Sequence, residues 1–148
     1  GQLNDYMCLD GTIPVTELPY VLRRIGEMSR EFGLDVGNVF HAGDGNMHPL
    51  ILYNANKPGD LETCEAFGAE ILKLCVEVGG CLTGEHGVGI EKRDLMEFQF
   101  NADDLEAQMR IKDVFDPKWL LNPAKVFPLK HTEDRRKNRV QFAAHAVE

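Results

Sequence analysis

The sequence predicts an α+β domain, an antiparallel sheet covered by helices, and three observations carry that expectation. Apolar residues recur at steps of three and four along 18–32 and again along 61–78, the period of a helix face turned toward a core. Two apolar runs, 36–40 and 47–53, flank the turn pair Asp44-Gly45 and read as the strands of a hairpin. The pair Gly79-Gly80 and the steps Asp116-Pro117 and Asn122-Pro123 punctuate the chain after these segments.

Residues 1–10 carry no helix pattern and no initiating methionine, so the chain reads as a fragment of something longer. The first helix starts from Thr16 as N-cap, has Glu17 in its first turn, and closes at Gly33. Its core face is Leu18, Val21, Leu22, Ile25, Met28 and Phe32. Strands 36–40 and 47–53 follow, apolar enough that both sheet faces are expected to be covered. A second helix spans about 60–78, with Leu61, Cys64, Phe67, Ile71, Leu72, Cys75 and Val78 inward and Gly79-Gly80 as its stop. A short strand at 81–83 leads into the segment GEHG, and two more helices are expected near 89–98 and 102–115. The order of elements suggests a sandwich resembling half of a ferredoxin-like unit, followed by C-terminal helices. Residues 1–128 form the domain, and 129–148, with the basic run DRRK, form a charged tail.

Composition excludes several classes. A chain of 148 residues with 43% hydrophobic content suffices for one core. With 16 basic and 24 acidic residues the formal charge is -8, which argues against a nucleic-acid partner. Cys8, Cys64, Cys75 and Cys81 form no C-x-x-C pair, so reduced cytosolic thiols are the expectation, without an iron-sulfur site. No apolar run reaches the roughly 18 residues of a membrane span, and no signal peptide is evident.

The segment HAGDGNMH concentrates the chemistry. A two-residue turn at Asp44-Gly45 would put His41 opposite His48, close enough on one sheet face to share a cation. Glu85 would complete a set of two imidazoles and a carboxylate, common for Zn or Fe(II), with hydrolytic and redox uses both open. In an extended chain His86 points away from Glu85, so one residue can hold metal while its neighbour meets substrate. The plain alternatives are histidines satisfied within the fold, a glycine-rich loop that is only a turn, and Asp44 and Asn46 as turn-stabilising residues.

HAGDGNMHPLI, GEHGVGIEK and FDPKWLLNPAKVFP, with MCLDGTIP before them, resemble the C-terminal part of the FAD-linked oxidases of the vanillyl-alcohol oxidase type, across nearly all of 6–128. The resemblance is to members that oxidise 2-hydroxy acids such as glycolate, D-lactate and D-2-hydroxyglutarate. It implies a substrate (cap) domain, His41, His48 and Glu85 as ligands of a divalent metal (Zn first, Mn or Fe next), and His86 as the base that takes the hydroxyl proton. Hydride then passes to FAD, held mainly by an N-terminal domain that nothing here resembles. Asn46 is implied at the substrate, and Asn122 and Lys125 near the flavin. The resemblance further implies companion flavin and iron-sulfur subunits, and a cytoplasmic enzyme peripheral at the inner face of the membrane. Three positions depart from the family pattern. Leu50 stands where the hydroxyglutarate enzymes carry Asn, and Cys8 falls near where they carry Lys, which points to small monocarboxylates. Ala124 stands where N-P-G-K has glycine. The competing readings are a stand-alone metal-binding or metallohydrolase module, for which no H-E-x-x-H exists, and a structural assembly domain.

Overall fold

The computed structural model describes residues 5–132 and Arg135. They fall into two compact units that divide between Gly87 and Val88. Most of the charged tail expected from 129 onward lies outside the described residues; 129–132 are helical and Thr132 is buried.

In the first unit the edge expected to be featureless is a strand. β1 (Asp5–Cys8) and β2 (Gly11–Thr12) pair antiparallel with one neighbour, β4 (Asn46–Tyr53), in a single unbroken register. Cys8 faces Leu50, Gly11 faces Met47, and the Leu9 amide donates to the Pro49 carbonyl at 3.0 Å between them. Asp10 therefore falls opposite His48. On the other side of β4 runs β3 (Val36–His41). Cys81, expected to open a strand, makes one antiparallel bridge to Thr12. With β1 and β2 counted as one edge strand, helices follow the first and third strands, and the order is the whole β-α-β-β-α-β arrangement with its last strand reduced to that bridge.

α1 (Leu18–Phe32) and α2 (Asp60–Glu77) cover the sheet face that carries Leu9, Met47 and Ile51. Val21, Ile25, Cys64, Phe67 and Ile71 are sealed in this core, and Phe32 stacks on Phe67 at 5.1 Å between centroids. The α1 cap is Glu17 rather than Thr16. A 3-10 turn over Val15–Glu17 takes up Thr16, and Pro19 in the first helical turn needs no amide partner. Gly33 closes α1 in the left-handed conformation, as expected. Leu61, expected inward, is 41% exposed because it falls in the first turn of α2 beyond the sheet. The expectation of two covered faces also fails: Tyr6 and Val39, on the sheet face opposite the helices, are exposed.

The hairpin is wider than a two-residue turn. Ala42 to Gly45 form a four-residue loop in which the amides of Asp44 and Gly45 both donate to the His41 carbonyl. Gly45 sits at φ 72°, and a Cβ there would lie 2.0 Å from the Ile13 carbonyl oxygen. The consequence is a shift of pairing: His41 faces Asn46, and His48 faces Val39. His41 and His48 are thus diagonal neighbours on one face instead of opposite partners.

The second unit contains a 3-10 turn (Arg93–Leu95), the short α3 (Met96–Gln99) and α4 (Ala102–Phe115). The helix expected over 89–98 forms only at its end, since Gly89 takes φ 56° and the chain turns through 89–92. α4 has the expected bounds, fixed by a reciprocal capping box between Asn101 and Asp104. Behind it, Trp119 and Phe127 are buried together, and the Trp119 indole donates to Asp113 at 2.6 Å. Asp116 accepts from the amides of Leu120 and Leu121, both at 3.0 Å, and from Lys112. Trp119, Asn122, Ala124 and Val126 all carry positive φ. Among the described residues no helix is long and apolar enough to cross a membrane.

Candidate functional site

The open face of the sheet alternates with the core face, so Asp10, Thr12, His41, Asn46 and His48 share it. Onto this face folds the loop that follows Cys81. Asp10 has no exposed surface. Its carboxylate accepts the Thr83 hydroxyl at 2.7 Å and the amides of Gly84, Glu85 and His86 at 2.9, 3.0 and 3.0 Å. The Thr83 hydroxyl in turn accepts the Gly87 amide at 2.9 Å. The loop is therefore curled around a carboxylate, and the extended alternation that would point Glu85 and His86 apart does not form. Ligand atoms of Asp10, His48, Glu85 and His86 lie within 4.8 Å of one another.

His48 is held in a defined tautomer. Its Nδ1 lies 3.1 Å from the Leu9 carbonyl oxygen, which can only accept, so Nδ1 carries the hydrogen and Nε2 presents a lone pair in the neutral ring. That Nε2 is 2.9 Å from Glu85 Oε1, and His41 Nε2 is 3.7 Å from the same oxygen. A lone pair facing a carboxylate oxygen at that distance is stable only with positive charge between or on them. Two donors on one tetrahedral ion sit about 3.4 Å apart for bonds of about 2.1 Å, and the two distances bracket this value. The His48 ring also stacks near the His86 ring, 5.1 Å between centroids, and meets the His41 ring edge-on at 5.3 Å. His48 is buried, whereas the side chains of His41 and Glu85 are more than half exposed.

Asn46 completes the wall. It is buried, its Oδ1 has no hydrogen-bond partner among the described residues, and its Nδ2 lies 3.5 Å from His48 Nε2. Gly84 packs directly on it: a Cβ at Gly84 would lie 2.4 Å from Asn46 Oδ1. An open depression of about 330 Å³ is lined by Thr12, His41, Asp44, Asn46, Gly84 and Glu85. An orphaned buried carbonyl oxygen beside imidazole and carboxylate donors fits a divalent cation with substrate oxygens next to it.

The sequence-derived residues thus divide in two. His48, Glu85, His86 and Asn46 converge in the first unit, and His41, outside the close group of ligand atoms, lies 3.7 Å from Glu85 Oε1. Asn122 and Lys125 belong to the second, where Asn122 takes φ 42° and Lys125 Nζ reaches the Pro123 carbonyl oxygen at 3.5 Å. Cys8 and Leu50, the two departures from the hydroxyglutarate pattern, prove to be a directly opposed pair on the open face, next in register to Asp10 and His48. Sequence reasoning missed Asp10. Its signal was an ionisable residue between apolar neighbours in MCLDGTIP, but its partners lie more than seventy positions away.

The family model described as "FAD linked oxidases, C-terminal domain" matches residues 3–126. The chain is 54% identical over 127 residues to the glycolate oxidase subunit GlcD of Escherichia coli, a match covering 86% of the chain and 26% of that protein. It is 34% identical over 131 residues to the glycolate oxidase subunit GlcD of Bacillus subtilis, covering 88% and 27%. Against a D-lactate dehydrogenase of Archaeoglobus fulgidus the identity is 38% over 120 residues, covering 80% and 26%. The chain spans about a quarter of the length of these relatives.

Proposed function

The chain belongs to the FAD-linked oxidase C-terminal domain family, and we propose that it is the substrate- and metal-binding domain of a flavin-dependent oxidoreductase that converts a small 2-hydroxy acid, glycolate or D-lactate, to the 2-oxo acid. The observation that carries the proposal is the convergence of His48, Glu85 and His86 beside an unpartnered Asn46 Oδ1. His41, His48 and Glu85 hold the divalent ion, with Zn first among Zn, Mn and Fe, and residues 1–128 serve as the substrate domain ahead of a charged tail. FAD, carried mainly by a preceding domain, would supply the acceptor for the hydride from Cα, and an ion held by His41, His48 and Glu85 would supply polarisation of the substrate hydroxyl and carboxylate.

The chain's own residues do the rest. An imidazole nitrogen of His86 accepts the hydroxyl proton as the C–H bond breaks, so one proton and one hydride leave together and a carbonyl remains. Asn46 Oδ1 accepts a hydrogen bond from the substrate side and orients it. The locked His48 ring keeps its lone pair aimed into the site. Asn122 and Lys125 approach the flavin. The apolar Cys8–Leu50 pair offers nothing to bind a second carboxylate, which favours glycolate and D-lactate over D-2-hydroxyglutarate. Electrons go on to companion flavin and iron-sulfur subunits, in a cytoplasmic enzyme peripheral to the inner face of the membrane.

The test is anaerobic flavin bleaching in the full-length protein with glycolate, D-lactate and D-2-hydroxyglutarate. The proposal expects bleaching by one of the two monocarboxylates and a loss of about a hundredfold or more in His86→Ala. Flavin that stays oxidised with all three substrates would overturn it.

A further inference from the structure

Two adjacent residues, Leu9 and Asp10, hold two parts of the site: the Leu9 carbonyl holds His48 Nδ1, and the Asp10 carboxylate holds the loop that bears Glu85 and His86. We infer that Asp10 is the positioning residue of this centre, an internal anion that folds the segment 83–87 so that Glu85 and His86 face His48. The inference rests on the reading of these residues as a metal and substrate site, and extends it to a residue that reading does not include.

Asp10 lies close enough to His48, Glu85 and His86 to be taken for a ligand itself, but its carboxylate is tied to the loop through both oxygens. Oδ2 takes the Thr83 hydroxyl and the amides of Gly84 and His86 at 2.7, 2.9 and 3.0 Å, and the Glu85 amide lies across both oxygens, 3.0 Å from Oδ1 and 3.2 Å from Oδ2. No surface of Asp10 is exposed. Turning an oxygen toward a cation would break bonds to the loop that carries the true donors.

Three successive amides aimed at one point form a concave anion seat of the kind that ordinarily receives a phosphate or carboxylate ligand. Here the anion is built into the chain. Three consecutive backbone N–H groups can face one point only if the backbone curls, and that curl brings the neighbouring side chains 85 and 86 to the same side instead of alternating. Thr83 extends the seat, since its hydroxyl donates to Asp10 while accepting from Gly87. The interruption between β1 and β2 is explained as well: the edge keeps register with β4 through Leu9 and Asp10, but the Asp10 side chain serves the loop.

The experiment uses the full-length protein, with Co(II) alone as probe, read by its visible absorption and by titration, beside amide hydrogen exchange over 83–87. Asp10→Asn keeps the size but replaces an acceptor oxygen with a donor facing other donors. The expected result is a Co(II) affinity lower by about 10- to 100-fold, the usual scale for a residue that orients ligands, a changed Co(II) spectrum, and lost protection at the amides of Glu85 and His86. Thr83→Val should fall between Asp10→Asn and the parent, and it carries the test if Asp10→Asn does not fold. Asp60→Asn is the control for general stability, because Asp60 is a buried carboxylate that accepts the Asn54 amide away from this loop; it should leave affinity and spectrum unchanged. Unaltered Co(II) binding in Asp10→Asn, or an equal loss in Asp60→Asn, overturns the inference. If the parent protein binds no Co(II), the metal reading fails separately, and exchange alone decides: protection retained in Asp10→Asn overturns the positioning role.

Discussion

Replacing Ala124 by glycine should stabilise the protein, although the same change in a helix does the opposite. Ala124 takes φ 61°, the left-handed region, where an L side chain costs about 1–2 kcal/mol. Glycine removes that strain but gives the unfolded chain extra freedom worth about 0.4–1 kcal/mol. The methyl group is half-buried, so losing its contacts costs about 0.4 kcal/mol, half of one buried carbon at the usual rate. The Ala124 carbonyl still accepts Arg93 Nη1 at 2.9 Å in either case, since that bond uses the backbone. The net is a gain of about 0.5 kcal/mol from these terms. Ala107, exposed in the middle of α4, supplies the contrast: glycine there should cost about 1 kcal/mol. Urea unfolding followed by the fluorescence of the one tryptophan, Trp119, reads both variants in the 148-residue chain. The reasoning predicts midpoints displaced in opposite directions. Two variants destabilised alike would refute it.

The remaining predictions concern titration and reactivity. Burial, helped by Glu65 and Asp60, pushes the Cys64 thiol up to about 11, whereas Cys81 is exposed. Iodoacetamide at pH 8 should therefore label Cys81 and leave Cys64 untouched, as peptide mass mapping would read. Burial raises the Asp116 carboxyl, but Lys112 and the amides of Leu120 and Leu121 outweigh it and hold it below the ordinary carboxylate range. A depressed folded-state value contributes stability above the unfolded value of about 3.9 and loses it as pH falls through the folded one. Asp116→Asn should thus be less stable than the parent near neutrality, with the gap closing below about pH 4. A gap that stays constant down to pH 2 would contradict the assignment.

α1, α2 and α4 were legible because each is written locally. Apolar spacing along α1 and α2, and Gly33 as a stop, act within a few residues of where they are read. The misses share a different cause. β1 has too few residues to show alternation, and only its partner β4, some forty-five positions on, makes it a strand. The hairpin register turned on a loop of four residues where Asp-Gly suggested two, because Gly45 is needed against the Ile13 carbonyl as well as for the turn. The convergence of Glu85 with His86 depends on Asp10, and no local pattern couples positions so far apart. The proximity of His41 and His48 to Glu85 was legible from residue type and spacing.

Metal content of the full-length protein, by mass spectrometry, bears most directly on the central claim that His48 and Glu85 hold a divalent ion. The account predicts close to one ion per chain in the parent and almost none in His48→Ala, whose ring is buried and aimed by Leu9. A smaller loss is predicted in His41→Ala, whose ring is exposed and 3.7 Å from Glu85. An ion retained at full stoichiometry in His48→Ala, or no ion in the parent after reconstitution with Zn, Mn and Fe, would contradict it.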